Sequence, residues 1–208
     1  MMKIKYILFL FSFCFCLPAQ SEVSYSRELE EIFSKLDNMI LQREEYRLKK
    51  EERIEMLRNR IDMRASLEER FHTNKVLYEE YYVYNADSAM AYVSDNLRIA
   101  SLLKRKDWEY TWKINKSFLL SATGLLKEAE DELKDIPVQK LSDNAKVDYY
   151  SQMQYLLSHF SQYTGSESEA VQRSYLDKEL LYRDSVYMVA HPDHPLYLWY
   201  KGCKLQYD

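Results

Sequence analysis

The sequence predicts an all-α protein: a long N-terminal helix followed by stacked helical hairpins, an α-solenoid. Three observations carry that expectation. Only three glycines and four prolines occur in 208 residues, too few breakers for a turn-rich β fold. Over residues 108–137 an apolar helical face (Trp108, Trp112, Phe118, Leu119) runs into Gly124, and a second face follows (Leu125, Leu126, Ala129, Leu133). A glycine at a helix end supplies the left-handed conformation that turns the chain back, and a small residue one turn into the next helix lets two backbones approach. The pairing recurs at Gly165 and Ala170, and more weakly at Tyr84 and Ala89. The alanines therefore stand 40 and 41 residues apart, a period proper to stacked hairpins.

Taken in order, residues 1–19 have the layout of an export signal. Lys3 and Lys5 precede an apolar run over residues 6–15, and Leu17-Pro18-Ala19 follows. The run is short for a bilayer span, which favours a cleaved leader over an uncleaved anchor. Cys14 and Cys16 are preceded by Phe13 and Phe15, which argues against a lipidated cysteine. The chain is thus expected to be exported, periplasmic or membrane-associated.

Residues 20–72 read as a long helical segment. Leu29, Ile32, Leu36 and Met39 recur at helical steps, and Ile54, Leu57 and Ile61 resume the pattern. Between Ile40 and Ile54 the seam thins to Tyr46 and Leu48, a gap that a continuous coiled coil does not carry. The expectation is a bent or broken helix whose ends pack on the repeats, with homodimerisation through it as the alternative. Glu45 and Lys49 form an i,i+4 pair in the favourable orientation.

Residues 73–208 are assigned to about three hairpins plus the start of a fourth. The first turns near residues 84–87, where Asn85 or Asp87 can cap the returning helix, and packs through Val83, Ala89, Tyr92, Val93 and Leu97. The second spans residues 108–135 and ends before Pro137. The third turns at residues 164–166 and returns through Ala170, Tyr175, Leu180, Leu181 and Val186. His191-Pro-Asp-His194-Pro breaks that helix, and Leu196, Leu198, Trp199 and Tyr200 begin another. Because this last helix is too apolar for a capping repeat, the chain reads as the front part of a longer protein.

Composition narrows the function. The net charge of −4 becomes −6 without Lys3 and Lys5, and there is no basic stripe with interleaved aromatics, so direct nucleic-acid binding is not expected. Once the leader is removed, Cys203 is the only cysteine and reads as a packing residue. His72 and His159 stand alone, and His191 with His194 flanks Asp193 in a proline-bounded loop, so no metal site is expected. There is no phosphate loop, no nucleophile elbow and no Cys-x-x-Cys pair. No catalytic residue and no cofactor is therefore assigned, and an enzyme is the weakest reading. Most of the 19 tyrosines are read as hairpin-interface core. By helical phase, the first helices of the hairpins would present Tyr78, Tyr81, Tyr82, Lys113, Lys116, Gln152 and Tyr155 to a concave binding face. Trp112, Leu119, Leu133 and Leu156 would be core.

A resemblance adds to this. Leu36-Asp37-x-x-Ile40-x-x-Arg43-x-x-Tyr46, followed by Glu52-Arg53-Ile54-x-x-Leu57, looks like the opening of an uncharacterised bacterial family of exported tetratricopeptide-repeat proteins. Asp87-Ser88-Ala89, the Ile114-Asn115 to Gly124-x-x-Lys127-Glu128-Ala129 segment and Tyr149-Tyr150 fit the same pattern. Lys116 and Ser117 depart from the repeat, where leucine and glycine are usual. Longer relatives are similar to membrane-spanning regulators with a cytoplasmic helix-turn-helix. The resemblance implies an extracytoplasmic scaffold for a protein or peptide partner, the sensor portion of such a regulator, whose membrane attachment is by the leader or a further helix downstream. The alternative is an assembly protein dimerising through the N-terminal helix.

Overall fold

The computed structural model describes residues 26–59, 65–164 and 168–207. The expected leader and the Gly165 turn lie outside them. Nine α-helices and no strand occur among the described residues: α1 (Arg27–Leu41), α2 (Arg43–Asn59), α3 (Leu67–Tyr81), α4 (Ala86–Leu102), α5 (Lys106–Ala122), α6 (Leu126–Leu133), α7 (Asp143–Thr164), α8 (Glu169–Val189) and α9 (Tyr197–Tyr207). Packing runs between sequence neighbours from α3 to α9, with one further contact between α5 and α7. That is the signature of stacked hairpins, and the expected all-α solenoid is what forms.

The chain divides into two compact units, residues 1–51 and 52–208. In the first, Ser26 caps α1 by accepting from the Leu29 N–H. A single turn residue, Gln42, separates α1 from α2, yet the i→i−4 ladder passes through it: its N–H reaches Asn38 O, and Tyr46 N–H reaches its carbonyl, each at 3.1 Å. Glu45 and Lys49 pair at 2.6 Å on an open face, where such a contact adds little. No residue of α1 is buried. Only where the seam resumes, at Ile54, does α2 contribute a buried side chain.

In the second unit, side-chain caps and left-handed residues set several of the helix ends. Ser66 and Glu69 form a reciprocal capping box on α3, and Asn85 caps α4 through the Ser88 N–H at 2.9 Å. Gly124, at φ +85°, ends α5, and the Leu125 N–H returns to Leu120 O at 2.9 Å. A Cβ there would meet nothing closer than the Tyr163 hydroxyl at 3.8 Å, so backbone conformation, not space, calls for glycine. Lys104 does the same at the end of α4, with φ +54° and an Arg105 N–H to Ala100 O bond of 2.9 Å. Both are the six-to-one closures that satisfy orphan carbonyls at helix ends.

Ala89 and Ala129 are fully buried at the first and second hairpins, as the close-approach argument requires. Ala170 is not: it lies exposed in the first turn of α8. Helix α8 turns Gln172, Tyr175, Glu179, Tyr182 and Val186 inward, a three-and-four stripe whose phase leaves Ala170, Leu180 and Leu181 outside. The third hairpin is thus held by large residues along two long helices and needs no small contact at its turn. Val83, expected in the first packing face, lies in the turn before α4 and is also exposed. Trp112, Leu119, Leu133 and Leu156 are core, each about 1% exposed.

Candidate functional site

A groove of about 890 Å³ runs along the inner faces of α3, α5 and α7, with Leu196 and Tyr200 at one side. Its positions on α3 are Phe71, His72, Lys75, Tyr78 and Glu79, with Tyr82 at the C-cap; on α5 they include Trp108, Thr111, Trp112, Asn115 and Phe118. Both sets step by three and four, one face of a helix. The volume is in the range of a built binding site.

The floor is a row of touching aromatic rings. Phe71 stacks on Trp108 at 3.9 Å and meets Trp112 edge-on at 5.9 Å. Trp112 meets Tyr78 at 5.1 Å, Tyr78 meets Tyr82 at 5.7 Å, and Tyr82 meets Phe118 at 5.9 Å. Phe118 continues to Tyr155 at 5.4 Å, and Tyr155 to His159 at 4.5 Å. The row crosses from the first hairpin to the third without a break. Phe71, Tyr78 and Trp112 are buried and brace the row, while the partly exposed Trp108, Tyr82, Phe118 and Tyr155 can offer apolar faces to a guest at low entropic cost, since two torsions fix each side chain.

Beneath the floor a polar clasp fixes the spacing of α5 and α7. Gln152 donates both amide hydrogens, to Ser117 Oγ and to Ser121 Oγ, each at 3.0 Å, and all three residues are buried. Ser117 thus occupies the position where the repeat pattern expects glycine. It keeps the small volume and adds an acceptor for Gln152. Charge in the groove is sparse: Lys75 pairs with Glu79 along α3 at 3.9 Å, and Asp148 lines α7.

Four of the seven residues nominated by helical phase line this groove: Tyr78, Tyr82, Gln152 and Tyr155. Three do not. Tyr81 is buried inside the first hairpin, stacked on Tyr92 at 5.7 Å. Lys116 turns toward α6 and pairs with Glu132 at 2.6 Å, and Lys113 is half-buried off the lining. Lys113 and Lys116 each follow a groove position (Trp112, Asn115) by one residue, a rotation of about 100° on a 3.6-residue helix. Phe71, His72, Trp108 and Phe118 were not nominated, although the spacing 71, 75, 78, 82 and 108, 112, 115, 118 was available to find them. His191 and His194 lie in the loop between α8 and α9, with His191 Nδ1 3.4 Å from Asp193. Among the described residues no three His, Cys, Asp or Glu side chains converge to hold a metal.

Burial gives the fold a pH dependence. Desolvation raises the Tyr78 phenol far above its ordinary range, helped by the neighbouring Tyr82 and Glu79, and pushes Tyr149 up to about 12. An unfolded chain releases these protons from about pH 10, so their contribution is complete below that value and is lost as pH rises toward the folded values. Stability should fall by about 1.4 kcal/mol per pH unit for each such tyrosine. In an alkaline titration the helical circular-dichroism signal and the tyrosinate absorbance should therefore change together above about pH 10. Ionisation of all tyrosines with the helix signal intact would contradict this.

Residues 40–208 match the family model described as SusR N-terminal TPR domain (TPR, tetratricopeptide repeat). No curated protein matches significantly, and no solved structure does so either. Among the described residues no helix is long and apolar enough to cross a membrane.

Proposed function

We propose, given that the chain belongs to the family of SusR N-terminal TPR domains, that it is a non-enzymatic scaffold holding a peptide segment of a partner protein in the groove. The observation that carries this is the unbroken aromatic row from Phe71 to His159 along the first helices of three hairpins. A row of that length and so few charges suits an extended segment with apolar side chains, read by rings and by polar groups at the rim. The finer reading is that this scaffold is the sensor portion of a membrane-bound regulator working outside the cytoplasm. It is supported by the leader-like residues 1–19, by the likeness to regulators, and by a family name that sets the domain at the N-terminus of a larger protein.

The test is a photo-crosslinking side chain placed at Tyr82 or Tyr155 in the native host. A discrete adduct is expected at both positions and not at exposed Leu181. Adding Phe118→Ala should weaken capture at least about tenfold, the effect of losing one interface anchor. The same adducts at Leu181, or adducts indifferent to Phe118, would overturn the groove as the binding face. A periplasmic reporter joined to the chain, active only after export, checks the compartment separately.

A further inference from the structure

The charges that line the groove do not balance. Three of the lining residues are fully charged: Lys75 and Glu79 on α3, and Asp148 on α7. Lys75 and Glu79 stand 3.9 Å apart and offset each other. Asp148 is left over, since among the described residues it takes part in no ion pair and accepts no hydrogen bond. The other cation beside the row, Arg105 over the Trp108 ring at 4.3 Å, is already paired with Asp107 at 2.8 Å. His194 acts on Asp148 from the loop before α9, but its Nδ1 is committed as an acceptor to the Leu196 N–H at 3.2 Å. The groove therefore presents two negative charges against one positive, with one carboxylate unanswered.

The helix that carries the third part of the ring row also places this carboxylate. Asp148, Gln152 and Tyr155 fall at i, i+4 and i+7 on α7, one face of the helix. Gln152 is held by Ser117 and Ser121, and Tyr155 lies against Phe118 at 5.4 Å, so the rotation of α7 is fixed. Two turns, about 10 Å, separate Asp148 from Tyr155 along the axis. From this placement we infer that Asp148 sets the specificity of the groove: its guest carries one lysine or arginine, two or three residues from an apolar anchor seated on Tyr82, Phe118 and Tyr155. The inference rests on the reading of the groove as a peptide site. An extended chain advances about 3.3 Å per residue, which makes the 10 Å span three residues, and a long basic side chain reaches from two. Crowding agrees with an open place for a cation. Desolvation holds the Asp148 carboxyl above its ordinary range, opposed by His194 and Lys75, and an ammonium or guanidinium group donating to it would relieve that penalty.

Selection from a random library of short linear peptides on the immobilised full chain tests this, in parallel on the parent, Asp148→Asn, Asp148→Lys and Phe118→Ala. The parent should enrich peptides with one lysine or arginine two or three positions from a large apolar residue. Asp148→Asn should keep the apolar anchor and lose the basic preference, and Asp148→Lys should turn to aspartate or glutamate. For a selected peptide, norleucine in place of its basic residue should raise the dissociation constant on the parent at least about tenfold. On Asp148→Asn the same exchange should change it less than about twofold, because the partner is already gone. Apolar binders with no basic preference, or a basic preference intact in Asp148→Asn, overturn the inference and leave the peptide groove standing. No enrichment at all, or equal enrichment by the parent and Phe118→Ala, overturns the groove reading and this inference with it. Should the Asp148 variants lose their helical circular-dichroism signal, the norleucine comparison on the parent alone decides.

Discussion

Trp112→Ala should remove about 3–5 kcal/mol of stability, the range for deleting a buried tryptophan from a packed interior. Trp112 is 1% exposed and sits where three things meet: the first hairpin, the second hairpin and the floor of the groove. Its ring holds Phe71 and Tyr78 edge-on at 5.9 and 5.1 Å, so the truncation both opens a cavity and frees two neighbours. Against a typical total of about 5–15 kcal/mol, a loss of that size should lower the melting temperature by roughly 6–20 °C for a chain of this length. Urea unfolding followed by circular dichroism measures it. Trp199→Ala is the internal control: that ring is 68% exposed, and its loss should change stability by no more than about 0.5 kcal/mol. Equal effects at the two positions would mean that the hairpins do not stack as described.

Asn96→Leu should cost about 2–4 kcal/mol even though it adds apolar volume to an apolar surrounding. Asn96 is fully buried, donates to the Phe71 carbonyl at 3.0 Å and accepts from Asn74 Nδ2 at 2.9 Å. Asn74 also donates to Asp95 at 2.7 Å, and Asp95 takes Arg70 and Arg98 as well, so Asn96 is the inner end of a network tying α3 to α4. Leucine would leave a buried carbonyl and a buried amide each short of a partner, at about 1–3 kcal/mol per group. Thermal melts of Asn96→Leu and of Asn96→Asp, which keeps the acceptor but not the donor, should both fall below the parent. A leucine variant as stable as the parent would show that the network contributes nothing net.

These two residues also show how far the sequence could be read. Trp112 was legible as core because apolar period and burial coincide along α5. Asn96 was not, because an asparagine within a helical pattern reads as a solvated position until its partner on another helix is known. The alanine signal worked at Ala89 and Ala129, which are fully buried, and misled at Ala170, where the spacing recurs but the residue lies exposed in the first turn of α8. For the groove the limit was one residue of phase. Tyr78, Tyr82, Gln152 and Tyr155 fall on the groove lining, while Lys113 and Lys116 stand about 100° of rotation away from it, a difference that no composition or charge argument resolves. Gln152 was nominated for a guest, but both of its amide hydrogens are committed to serines beneath the floor. That pairing joins residues 31 and 35 positions apart, a separation over which local pattern carries no information.

The ring row has a mechanical corollary. No one helix supplies all of it: α3, α5 and α7 each contribute, and each belongs to a different hairpin. A solenoid of hairpins touching mainly their neighbours is an elastic object whose pitch is the sum of small rotations between repeats. A guest seated across the row as proposed would bridge three stiff bodies at once, and wedging or drawing together their rings would change that pitch. If the groove is occupied as proposed, the hairpins on either side of the row, within residues 52–208, would shift relative to one another without any helix having to open or melt.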